Sequence, residues 1–334
     1  MRQGTANPTR VGFFGRDDDK RDEAESLDRI IDGGVPLAAE TRLSELNMTG
    51  LFTSTLSVSE FALLSGLGPT PIAQVLGAAV HQVGWQYLPP QAQWAGNDLF
   101  CQLDSVSQAW DHARRNAFDR LREEARLVGA DAVVGVHLRR GKHEWARHSV
   151  DFVVSGTAIR LPGSDPAALP ALLLSDLSVQ DYWKLMGGGW SPAGLLATTS
   201  VFFVSQGFRT RWQRRLAVMK NQELIEFSDG FSAARRTAVA DLRSQARSAS
   251  ANGIVGVSLQ YEIARGKFAV RGVGQGGTGL SPQTIGLGGD MPSGGADKRA
   301  GVVITVHSVG TAIRHDHAAG SSAPRTTLSL GGAP

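Results

Sequence analysis

The chain of 334 residues has one cysteine, Cys101, so no intramolecular disulfide can form. That scarcity fits a reducing compartment. Long apolar runs are also missing. The best candidate, Leu169–Leu174, is short and is followed by Asp176, Asp181 and Lys184, so no membrane-spanning helix is expected. Met1–Asp32 is polar and charged and contains no apolar core of a secretory signal. Together these absences point to a cytoplasmic protein. An excess of one charge is missing as well. There are 34 basic against 31 acidic residues, and the pI of 9.2 comes from that near-balance. A phosphate-binding surface needs clustered charge, so nucleic acid is not the expected partner.

Internal repetition dominates what is present. Leu56-Ser-Val-Ser-Glu-Phe matches Leu177-Ser-Val-Gln-Asp-Tyr, 121 residues later. Ala113-Arg-Arg-Asn-Ala matches Ala234-Arg-Arg-Thr-Ala, and Val134-Gly-Val-His-Leu matches Val255-Gly-Val-Ser-Leu, both at the same offset of 121. Chance matches would scatter over many offsets. Ser155-Gly-Thr-Ala-Ile-Arg reappears as Val309-Gly-Thr-Ala-Ile-Arg at an offset of 154, so the second copy carries 33 extra residues. They fall in a Gly-rich stretch at about 264–301, which reads as a mobile loop.

One unit reads as a short strand near Leu51–Leu56, a helix over Val58–Ser65 capped by Ser57, a strand over Ile72–Val83, a long helix, and two closing strands. Val106, Trp110, Ala113, Ala117, Leu121, Ala125 and Val128 form one apolar helical stripe. Arg114, Arg115, Arg122, Glu123 and Arg126 lie off it. Ser105 with Gln108 fits a capping box, and Gly129 suits the left-handed stop. Ala132–Val136 is nearly all apolar and is expected to be buried on both faces. The fold class is therefore α+β: two tandem units, each a small antiparallel sheet packed on one long helix. Unit 1 spans 35–162 and unit 2 spans 168–314. Residues 1–34 read as a disordered arm with a short helix near Glu23–Ile31, and 315–334 as a disordered tail.

The run Ala125-Arg-Leu-Val-Gly-Ala-Asp-Ala-Val-Val-Gly-Val, followed by Val154-Ser-Gly-Thr-Ala-Ile-Arg, resembles the YbjQ family, which is labelled as heavy-metal-binding. The resemblance extends over both repeats, with the second departing at Ser250-Ala-Asn-Gly. It implies dodecin-subunit-like units that self-associate into a ring, commonly a pentamer. A two-unit chain would fill two positions of one ring or, the preferred arrangement, one position in each of two stacked rings.

Three site hypotheses follow. His137, His143 and His148, with Glu144, lie on and beside a hairpin, and imidazoles with a carboxylate suit Zn²⁺ or Ni²⁺. Arg139, Arg140, Lys142 and Arg147 surround them and would repel a cation. Cys101 has no His at motif spacing, and no serine elbow or zinc-hydrolase motif occurs. Gly272-Val-Gly-Gln-Gly-Gly-Thr-Gly lacks the Lys-Ser/Thr ending of a phosphate loop. Arg209, Arg211, Trp212, Arg214 and Arg215 mix basic and aromatic residues but read as a solvated loop. The function read from the sequence is a non-enzymatic, ring-forming oligomer that serves assembly or binding, without a resident cofactor. The alternative is a metal-binding or metal-handling protein using a divalent metal.

Overall fold

The computed structural model describes residues 16–31, 34–49, 51–82, 100–141, 149–163, 172–205, 223–269, 285–286 and 298–315. It divides into two compact units, Met1–Leu51 and Phe52–Pro334. The first unit contains helices α1 (Arg16–Ile31) and α2 (Leu37–Thr49). Arg29 ties them together, pairing with Glu25 on its own helix at 2.7 Å and with Glu40 on the next. Within the expected disordered arm, Arg16–Ile31 is helical, longer than the short helix near Glu23–Ile31 read from the sequence.

The second unit is α+β and holds two sheets. The first has the order β1 (Thr70–Gln82), β4 (Ser149–Arg160), β3 (Ala132–Gly141), β5 (Leu173–Leu174). The second has the order β2 (Phe100–Gln102), β6 (Trp190–Ser205), β9 (Lys298–His315), β7 (Gly253–Ala269), β8 (Ile285–Gly286). Their helices are α3 (Val58–Leu67), α4 (Asp104–Leu127), α5 (Val179–Gly187) and α6 (Ile225–Ser248).

The two halves of this unit share one plan. Helices α4 and α6 start and stop 121 residues apart. The β1–β4 pairing sets Thr70 opposite Arg160, and the β6–β9 pairing sets Ser191 opposite Arg314. Bulges fall at matching places, between Val134 and His137 and between Val255 and Ser258. Gly135 and Gly256 take positive φ of 60° and 67° there, a conformation that favours glycine.

The residues that carry the YbjQ resemblance maintain this plan. Gly129 ends α4 at φ 67°, with Ser250 at φ 53° in the matching place after α6. Arg160 donates to the Gly129 carbonyl at 3.2 Å, and Arg314 donates to the Ala249 carbonyl at 2.9 Å. These bonds satisfy carbonyls that a helix end leaves open. The Asp131 carboxylate accepts from the Leu161 amide at 2.7 Å, as the Asn252 side-chain oxygen does from His315 at 3.0 Å.

Some local expectations fail. Residues 51–57 form no strand. The cap of α4 is Leu103 with no side-chain bond, because the Ser105 position already lies inside the helix. The capping box instead serves α3, between Ser57 and Glu60. Both ends of the Gly-rich insertion are strand: β7 and β9 stay paired out to Ala269 opposite Lys298. Residues 270–284 and 287–297 of that insertion lie outside the described residues, as does the tail beyond His315.

Helix–sheet spacing differs between the halves. A Cβ on Gly77 would run into the Ala117 carbonyl and the Leu121 amide of α4. At the matching place Thr198 fits, and its hydroxyl donates to the Ala238 carbonyl at 3.0 Å. Gly77→Ala should therefore destabilise by about 2 kcal/mol or more, since overpacking displaces rigid helix backbone. Thermal melts alongside Thr198→Ala, expected to cost about 1 kcal/mol through the lost hydrogen bond, check this.

Candidate functional site: the contact between the two halves

The first half grips the second at three places. Strand β2 adds to the edge of β6, with Phe100 opposite Val204. The segment at β5 adds to the edge of β3 in parallel, setting Ala132 opposite Leu173. The Ser175 amide donates to the Val133 carbonyl at 3.0 Å, and the Val136 amide donates back to Ser175 at 3.0 Å. Helix α4 lies between its own sheet and the far face of the second sheet. This explains why β6 is buried on both faces from Thr198 to Ser205, while β1 alternates.

A buried polar chain fills the third contact. Arg114 is 3% exposed. Its guanidinium donates to Asp111 at 2.6 Å, to the Ala197 carbonyl at 2.8 Å, and to the Thr199 hydroxyl. Thr199 lies 3.0 Å from His307 Nδ1, and Arg140 lies 3.1 Å from His307 Nε2. A guanidinium can only donate, so Nε2 accepts and Nδ1 carries the proton, which it gives to Thr199. Arg140 also forms an ion pair with Glu262 and lies over the Trp110 ring, 4.9 Å from its centroid. The Trp110 and His307 rings are 5.0 Å apart.

Beside this chain is a cavity of about 280 Å³, lined by His137, Arg140, Asp176, Ser258, Gln260 and His307 among others. Burial holds the Asp176 carboxyl above its usual range despite a hydrogen bond from Thr311. Burial, with Arg140 and Arg114 nearby, pushes His307 from 6.5 down to about 3. A neutral imidazole whose Nε2 lone pair is taken by Arg140 is no general acid near pH 7 and offers no open nitrogen to a metal. The arrangement is suited to fixing how the halves meet.

Of the histidines singled out in the sequence, His137 is exposed on β3 at the cavity rim. His143 and His148 lie outside the described residues, as do Arg209, Arg211, Trp212, Arg214 and Arg215. Among the described residues no three His, Cys, Asp or Glu side chains gather as a metal site. Cys101 is half-buried in β2, and burial with Asp104 nearby pushes its thiol up to about 11, which makes it a poor nucleophile. Sequence reasoning missed Asp111, Arg114, Arg140 and His307. Divergence between the aligned halves carries part of the signal. Trp110, Arg140 and His307 stand where the other half has Phe231, Tyr261 and Val153.

The His307 shift has a definite sign. Unfolded chains take up a proton near pH 6.5 that the folded chain refuses until about 3. This group's contribution to stability is full above 6.5 and falls as pH drops through that window, by about 1.4 kcal/mol per unit. In denaturant titrations from pH 7 to 4, His307→Gln should lose stability with a slope shallower by about one proton. Parallel slopes would contradict the assignment.

Comparison with known proteins follows this geometry. A YbjQ family described as "Putative heavy-metal-binding" matches residues 99–162. These run from β2 through α4, β3 and β4. The encapsulin nanocompartment protein Rv1762c of Mycobacterium tuberculosis is 34% identical over 226 residues, covering 66% of this chain and 81% of the relative. No solved structure matches the chain significantly. No helix among the described residues is long and apolar enough to cross a membrane. With that identity over four-fifths of the relative's length, the chain belongs to the family of the Mycobacterium tuberculosis encapsulin nanocompartment protein.

Proposed function

We propose that this protein is a non-enzymatic, self-associating component of a cytoplasmic protein compartment, built from two tandem copies of one YbjQ-like unit and closing into a ring. The observation that carries the reading is apolar side chains left in solvent on regular strands at two separate places. Val257, Leu259, Tyr261 and Ile263 on β7, and Val80 on β1, are all well exposed. Rows of large apolar side chains on an exposed strand are costly to leave uncovered and mark an interaction surface. Support also comes from the relative, whose name describes a nanocompartment protein. Light scattering coupled to size exclusion should return a mass several times 35.5 kDa. A clean monomer across micromolar concentrations would sink this reading.

A second reading, metal handling through His137, His143 and His148, has the family description behind it. Against it, Arg140 lines the cavity that His137 borders. Metal analysis after mild purification, compared with the His143→Ala/His148→Ala double variant, separates the two. The assembly reading expects no bound metal in either sample.

A further inference from the structure

The contact between the halves is head-to-tail, and each of its two sides has a matching surface that, among the described residues, stays in solvent. Four aligned pairs establish this. Val179, at the start of α5 in the segment that docks on β3, is 3% exposed, whereas Val58 in the matching place is 87% exposed. Val136, on the β3 edge that receives that segment, is 3% exposed, whereas Val257 on β7 is 45% exposed. Val201 on β6, covered by the first half, is 1% exposed, whereas Val80 on β1 is 56% exposed. Arg114, sealed against the second sheet, has Arg235 as its counterpart, exposed on α6.

These surfaces are of two kinds. Segment 52–58, with the β1 face, matches the parts of the second half that are gripped. The β7 edge, with the outer face of α6, matches the parts of the first half that do the gripping. Among the described residues no strand pairs with the free edge of β7 between Gly253 and Gly266. Beside that edge a groove of about 420 Å³ runs between α6 and β7, bordered by Val239, Leu242, Ala246, Ile254 and Val257. The chain thus ends in a socket on one side and a plug on the other.

We propose that a second copy of this chain fills the socket: its segment 52–56 pairs in parallel on the β7 edge, Thr53 opposite Ile254, and α6 covers its β1 face. This rests on the assembly reading above and names the surface through which it works. The register is transferred from the contact inside the chain, where Leu174 lies opposite Val133. Adding a strand to an open edge satisfies its backbone groups, and a heterologous contact of this kind propagates from chain to chain. A two-fold contact joining two β7 edges would leave Val58, Val80 and the β1 face uncovered. The chemistry at the centre also suits a joint between chains. Phe231 and Tyr261, already ring to ring at 5.1 Å, stand where Trp110 and Arg140 stand inside the chain. The joint between chains is therefore apolar where the inner joint is charged.

The test is a cysteine pair, Thr53→Cys with Ile254→Cys, placed on opposite sides of the proposed joint. Mild oxidation should give a non-reducing ladder at two and more chain masses that neither single variant gives. Val257→Arg, at a position already in solvent within one chain, should reduce the assembly to monomers while keeping the circular dichroism of the parent. If the parent assembles but the pair yields no ladder, or cross-links within single chains, the proposed joint is wrong and the assembly reading stands. If the parent is a monomer, both fall.

Discussion

The guanidinium of Arg114 lies in the protein interior, on a helix of one half and against the sheet of the other. A buried cation must spend its donors on partners, because each unmet one costs far more than a surface hydrogen bond returns. Arg114 meets that demand with Asp111 on its own helix and with Thr199 and the Ala197 carbonyl across the contact. Thr199 then orients His307, which fixes the ring nitrogen open to Arg140, and Arg140 reaches Glu262. Each group is held by the next, so the halves can meet in one register only. Shifting α4 by a residue would orphan several charges together.

This constraint separates what the family motif does from what it is called. The Gly-Ala-Asp and Gly-Thr-Ala-Ile-Arg stretches close the helix end and secure the last strand. Arg160 caps carbonyls, Asp131 accepts a backbone amide, and a Cβ on Gly156 would meet Val133. These side chains secure the helix end and the last strand. Similarity in these stretches includes a shared way of closing a helix–hairpin unit.

Much of that unit was legible in the sequence. The 3.6-residue stripe from Val106 to Val128 marks α4 because one face of the helix always meets its own sheet. The β3–β4 hairpin is legible because its strands are apolar and a short polar run divides them. Arg114 lies off that stripe, where periodicity alone suggests solvent, which holds for its counterpart Arg235. Periodicity describes a helix against one surface, and α4 touches two. The second lies more than 80 residues away in sequence, as its bond to the Ala197 carbonyl shows. The Gly-rich insertion misled for a related reason: composition signals a loop, yet Ala269 and Lys298 extend an existing ladder and take their geometry from it. Leu103 caps α4 without a side-chain bond because its side chain carries no acceptor; its amide instead donates to the Val201 carbonyl of the other sheet.

The head-to-tail sense of the contact inside the chain sets a counting rule. Whole chains bring units in pairs, and under the proposed joint each pair would meet the next through a contact unlike its own. A closed ring in which every unit keeps equivalent neighbours must contain an even number of units, with charged and apolar joints alternating around it. The divergence of the two halves thus acts on arithmetic as well as chemistry. In a ring closed through the proposed joint, the two unlike halves would give half the rotational symmetry of a ring of like units.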